Sequence, residues 1–216
     1  MTGGAIAWPA LLALGAGHGL NPAMGWLFAV ALGLQRGSRR AVWSSLGPLA
    51  LGHAAAIAAT LAAAGLIGLV LPLETLRWIV AALLVGLGLF RLVRSRHITY
   101  GGMRVNAREL ATWSFLMASA HGAGLMVLPL VIGGPTPPMH THGLAYASLG
   151  LGPLEWSGLA AAAVHSAGYL LVTGVIAAVV YERVGLRFLR TAWVNLDLLW
   201  AVALVGTGIA TVALAF

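Results

Sequence analysis

Four histidines fall inside long apolar stretches of this sequence: His18, His53, His121 and His165. Three more, His97, His140 and His142, fall outside them. An ionisable side chain is costly in lipid, faces the protein interior and tends to serve function there. Imidazole suits zinc, copper, nickel and iron, and as a neutral ligand it avoids part of the cost of burying carboxylates. The plainer role is a ring bonded to a carbonyl or hydroxyl that ties helices together. Repetition favours a shared cluster. Ala16-Gly17-His18-Gly19 resembles Ser119-Ala120-His121-Gly122, and Gly52-His53-Ala54-Ala55 resembles Val164-His165-Ser166-Ala167. We take His18, His53, His121 and His165 as candidate metal ligands. His18 and His121 are expected near a pseudo-twofold axis, with His53 and His165 on helices packed beside them. Met24, Met117 and Met126 lie on the same stretches as His18 and His121 and could add thioether ligands for copper; gap-filling is methionine's commoner role.

His18 belongs to the run Gly15-Ala16-Gly17-His18-Gly19-Leu20-Asn21-Pro22-Ala23-Met24-Gly25. Proline removes a backbone donor and glycine loosens the helix. Inside a bilayer such a break survives only where protein or a watery cavity satisfies the freed backbone groups. The run therefore reads as a broken membrane helix lining a site, with Asn21 and Met24 as candidate substrate-binding residues. Asp197, flanked by Asn195 and Trp193, is a third. It could relay protons or simply begin a helix as an acid beside the helix dipole. Weaker candidates are the outer-loop pair His140 and His142, as a capture point for metal, and Glu74 with Arg77, which read as an ion pair.

Composition sets the class. Of 216 residues 60% are hydrophobic and 8% charged, where a soluble domain carries roughly a quarter charged. We read an all-α integral membrane protein in one membrane domain, 1–216, surrounded by the lipid bilayer. The basic balance comes from scattered arginines against five acids and no lysine, which gives no support to a nucleic-acid partner. The chain has no cysteine, which excludes disulfides and thiolate ligands. The N-terminus lacks a basic n-region and runs straight into apolar sequence, so no cleavable leader is expected.

Segments of about 20 apolar residues predict six spans: 6–34 with a break near His18–Pro22, 41–70 bent early by Gly47-Pro48, 76–93, 110–132, 154–181 and 194–214. Arginines crowd the first, third and fifth loops and their helix ends, while Arg77 stands alone on the other side. The positive-inside rule makes the arginine side cytoplasmic. Both termini are then outside, in a bacterial-type inner (cytoplasmic) membrane. The paired motifs divide the chain into two three-helix repeats, about 1–97 and 98–216, and Leu84-Val85-Gly86-Leu87-Gly88 resembles Leu204-Val205-Gly206-Thr207-Gly208. Three spans per repeat make the repeats inverted, and inverted repeats place substrate near the midplane at discontinuous helices. Here those are helices 1 and 4.

From Asn21 to about Arg96 the chain resembles the LysE-type (lysine exporter) superfamily of small six-helix transporters. The resemblance rests on Asn21-Pro22, Gln35-Arg36-Gly37-Ser38-Arg39-Arg40, Gly47, Gly52-His53 and Leu83-Leu84-Val85-Gly86-Leu87-Gly88-Leu89. Amino-acid exporters of that group have Pro-Gly-Pro where this chain has Asn21-Pro22-Ala23. His18-Gly19-Leu20-Asn21-Pro22-Ala23-Met24-Gly25 is closer to the His-x-Leu-Glu-Pro-Gly-His-Gly element of nickel/cobalt exporters, with Asn21 in place of the acid and Met24 in place of the second histidine.

Three functions stay open. The leading one is a transporter or exporter of a transition-metal cation or other small solute. In that mechanism neutral imidazoles bind the cation and protons compete for them, so a proton gradient drives exchange. The alternatives are an intramembrane metal- or haem-binding protein, enzymatic or electron-carrying, and an accessory subunit of a larger membrane complex. A homo-oligomer fits any of them. No phosphate-cradling loop, Ser/His/Asp order or HExxH pattern supports a hydrolase.

Overall fold

The computed structural model describes residues 3–68, 70–93, 105–132, 152–184 and 196–213. Every regular element among them is helical. The helices are α1 (Gly3–Leu20), α2 (Trp26–Arg36), α3 (Arg39–Gly68), α4 (Leu73–Val93), α5 (Ala107–Ala120), α6 (Ala123–Ile132), α7 (Gly152–Val179) and α8 (Leu196–Ala213). A 3-10 turn, Pro22–Met24, joins α1 to α2, and a π turn, Val180–Val184, ends α7.

Helices occupy all six segments read from the sequence, but not all pass as spans. Three are long and apolar enough to cross a bilayer: 39–68, 74–93 and 158–183. The pair α5 and α6, bent by 59° at their junction, makes a fourth if counted as one span. The chain is therefore a membrane-type helical protein with three to four such spans among the described residues. The break at Asn21–Gly25 divides the first segment into α1 and α2, and neither is among those spans.

Local sequence explains the ends. Asn106 opens α5 with a capping box: its side chain accepts from the Glu109 amide at 3.0 Å, and the Glu109 carboxylate accepts from the Asn106 amide at 2.8 Å, so two orphan donors are satisfied at once. Gly37, at φ 56°, closes α2 in the left-handed conformation, and the Ser38 amide reaches back to the Gly33 carbonyl at 3.0 Å. α3 runs unbroken through Pro48. Arg39 at its start pairs with Glu182 of the π turn.

Small residues set the packing, as expected where lipid and side chain are equally apolar. α1 lies chiefly on α7, α3 on α5, and α4 on α8. A Cβ added at Gly15 would come within 1.9 Å of the His165 carbonyl, and one at Gly168 within 2.3 Å of the Leu12 carbonyl. On the α3–α5 contact, a Cβ at Gly52 would stand 2.1 Å from the Ala111 carbonyl. The α4–α8 contact is reciprocal: Gly88 faces Val205 and Ala201, and Gly208 faces Val85 and Ala81.

Candidate functional site

Both broken segments carry a histidine at the break, and both breaks need a glycine. Gly25 adopts φ 134° and Gly122 φ 71°, conformations that cost an L residue strain. A Cβ at Gly25 would also sit 2.4 Å from the Leu49 side chain.

At the first break, Asn21 turns extended and its side chain accepts from the Ala23 amide at 2.9 Å. Carbonyls at the end of α1 and in the turn that follows are met by side chains from three helices. Trp26 Nε1 donates to the Leu20 carbonyl at 3.1 Å, Trp113 Nε1 to the Ala23 carbonyl at 3.0 Å, and the Tyr169 hydroxyl to the Met24 carbonyl at 2.6 Å. At the second break, Arg91 of α4 donates through Nη2 and Nε to the Ala120 carbonyl at 2.8 and 3.2 Å. A cation at a helix C-terminus also opposes the helix dipole. Protein donors thus supply what water cannot at these depths.

The four candidate histidines are all buried, and they form two groups. His18, His53 and His165, from α1, α3 and α7, make a triangle. Ring centroids are 5.6 Å apart for His18–His53, 5.0 Å for His18–His165 and 5.4 Å for His53–His165. His18 Nδ1 is 2.9 Å from the Leu14 carbonyl. A carbonyl only accepts, so Nδ1 carries the proton and Nε2 the lone pair, the arrangement that fixes a ligating histidine's tautomer. Neither ring nitrogen of His53 has a hydrogen-bond partner, and those of His165 have none at bonding geometry, although the Leu11 carbonyl is nearby. Buried polar atoms left in this way call for an explanation.

His121 belongs to the second group. Its Nδ1 donates to the Met117 carbonyl at 2.8 Å, the same i to i−4 bond that His18 makes. Its Nε2 accepts from Asn21 Nδ2 at 3.3 Å and from Arg91 Nη1 at 3.3 Å. Asn21 is therefore a link between the two breaks. The groups adjoin, since His18 lies within electrostatic reach of His121.

Met24 is buried at the first break beside the triangle's helices, in a core cluster that includes Met117 and Tyr169; Met126 lies in a second cluster. Asp197 falls in the first turn of α8, its side chain outside the described residues, as are His97, His140, His142, Trp193 and Asn195. Four residues that hold the breaks escaped the sequence reading: Trp26, Trp113, Tyr169 and Arg91. Tyr169 lies four residues after His165 and so on the same helix face, a signal the sequence does carry. Arg91 read only as one more basic residue at a helix end.

Among the described residues, no group of three or more His, Cys, Asp or Glu has its donor atoms gathered as a bound metal requires. The triangle brings rings together without converging their nitrogens. No family model, curated protein or solved structure matches the chain.

Proposed function

We propose that this protein is a small transporter of the LysE type. The two helix breaks line its passage, and His18, His53 and His165 bind its cargo, a divalent transition-metal ion. The observation that carries the reading is the triangle. Three imidazoles sharing one tetrahedral metal, each nitrogen about 2.0–2.1 Å from it, hold their ring centroids about 5 Å apart. The three centroid spacings here are 5.0, 5.4 and 5.6 Å. The rings come from three helices, and one of those helices is broken within three residues of its histidine. That is what a site requires if binding is to be coupled to movement of the passage.

The lone-pair nitrogen of His18 and the unpartnered nitrogens of His53 are borderline-soft donors in a cysteine-free chain. Such a set favours zinc, cobalt or nickel over magnesium or calcium, which take oxygen ligands. The mutual packing of the rings speaks against haem, since two axial imidazoles must leave a macrocycle's width clear around the iron.

The pairing of helices supports the inverted repeat. Taking the six expected segments in order, contacts of first with fifth and second with fourth exchange under a twofold, and third with sixth maps onto itself. Those are the principal contacts seen. The reciprocal glycine contacts of α4 and α8 obey the same operation. On this reading the chain has six spans in a cytoplasmic-type membrane, with the arginine-rich loops inside.

The test is metal flux into proteoliposomes, with bound metal measured on the same preparations. The wild type is expected to bind and move cobalt or zinc. His18→Ala, His53→Ala and His165→Ala each lose both, while circular dichroism stays helical. Equal flux in wild type and His53→Ala would end the metal-transport reading.

A further inference from the structure

Three of the apolar spans begin or end on arginine at the same end of the bundle. The span of α3 starts at Arg39 and that of α7 ends at Arg183. The two meet there, since Arg39 pairs with Glu182. Arg36 closes α2 and lies across the Gly37-Ser38 turn from Arg39 and Arg40. The bent span of α5 and α6 starts at Ala107, beside Arg108. Val105 and Leu110, on either side of Arg108, pack with Leu32, Leu46 and Leu49 of α2 and α3, which brings that start to the same end.

All five arginines are exposed. The acids beside them are Glu109 and Glu182, and each is already engaged: Glu109 in the capping box of α5, Glu182 with Arg39. The opposite ends of α3, α4 and α7 have the reverse balance, with Arg77 against Glu74 and Glu155. The basic end is also preformed. Gly37 turns tightly at φ 56°, and a Cβ at Gly33 would collide with Val42 and the Tyr181 ring, so the α2–α3 turn is clamped against the end of α7. Trp43, one turn into α3 from Arg39 and Arg40, is exposed, in the place where tryptophan sits at headgroup level.

Guanidinium holds phosphate through paired charge-assisted hydrogen bonds, and arginines clustered at the ends of spans draw anionic lipid. We propose that Arg36, Arg39, Arg40, Arg108 and Arg183 form a docking surface for the headgroups of anionic phospholipid in the surrounding leaflet. On the proposed topology that leaflet is the cytoplasmic one, which carries the anionic lipid. The surface is independent of what the protein transports.

The test is native mass spectrometry of the full chain from micelles offered phosphatidylglycerol and phosphatidylcholine with the same acyl chains in equal amounts. The ratio of the two lipid-bound forms reads the preference, and the wild type is expected to favour phosphatidylglycerol. An arginine near the headgroups contributes a factor of about five, so Arg40→Gln lowers the ratio about fivefold and Arg36→Gln with Arg40→Gln about 25-fold. Arg77→Gln, at the opposite end, leaves the ratio unchanged. An unchanged ratio in the double variant overturns the proposal. So does an equal fall in Arg77→Gln, which would make net charge the cause rather than this surface. Loss of the wild-type preference on adding inorganic phosphate, at an ionic strength where chloride has no effect, would assign the arginines to a free anion and overturn the lipid reading.

Discussion

His53→Leu separates a metal ligand from a packing residue, because the two roles predict opposite signs for stability. His53 is wholly buried and neither of its nitrogens has a partner. A buried polar group without a partner costs about 1–3 kcal/mol. Leucine removes that cost and nearly fills the space. The substitution also forfeits the stack on Tyr169, seen at 4.0 Å; aromatic pairs of this kind contribute about 0.5–1.5 kcal/mol. The difference favours the variant by about 1 kcal/mol, which raises Tm by about 2–4 °C in a chain of this size. Tryptophan fluorescence during heating measures it in metal-free detergent, and flux is measured in parallel. The expected result is a more stable protein that transports nothing, the trade expected where a site is held at the expense of stability. A variant destabilised by more than about 1 kcal/mol with undiminished flux would refute the reasoning, since the imidazole would then be there for packing.

The other predictions concern the breaks, the topology and the ligand. Gly25→Ala is expected to cost about 2–6 kcal/mol, the sum of backbone strain and overpacking against Leu49, whereas Gly47→Ala, whose Cβ meets nothing within 4 Å, gains about 0.5–1 kcal/mol; thermal melts compare the two. Saturating cobalt should raise wild-type stability by about 2.7 kcal/mol at a hundred times Kd, and the gain should vanish in His18→Ala. Arg91→Met leaves the Ala120 carbonyl and His121 Nε2 short of donors and is expected to cost about 1–3 kcal/mol while sparing cobalt binding, read from the melt and the cobalt spectrum together. A cysteine placed by Ser38→Cys should react with an impermeant reagent only from the cytoplasmic side; labelling from outside would reverse the proposed topology.

The element that the sequence states most plainly is the first break. Gly, Asn and Pro crowded into one apolar run weaken a helix there, and the chain turns at Asn21–Gly25. The second break is nearly silent. His121-Gly122 lacks a proline, and what breaks the helix there is Gly122 at positive φ together with Arg91 taking the Ala120 carbonyl. That arginine comes from 29 residues away in sequence, and no local pattern could have joined them. The grouping of histidines was legible only in part. Matched motifs suggested that His18 and His121 share a centre, yet the crossing of α1 on α7, set by Gly15, Gly19 and Gly168, carries His18 to His165 and His53. Helix register of that kind depends on which glycines face which neighbour, information that spacing along one chain does not contain.

The two breaks use the same device to different ends. In each, the histidine gives its Nδ1 proton to the carbonyl four residues back, so that its Nε2 lone pair faces away from its own helix. At the second break that lone pair is taken up by Asn21 and Arg91, which fastens α5 to the first break and to α4. At the first break it belongs to the ring that packs against His53 and His165. A pair of identical devices would have given two equivalent sites or two equivalent latches. Because one histidine is committed to a latch and the other stands in the triangle, the two breaks are not equivalent. The consequence is mechanical. Asn21 is three residues from His18 and bonded to His121, so on the proposed transport reading movement of the first break pulls directly on the bond that holds the second. Loss of that bond in Asn21→Ala should therefore leave cobalt bound and slow its flux, whereas His18→Ala removes the binding itself. Equal flux in Asn21→Ala and wild type would show that the two breaks move independently.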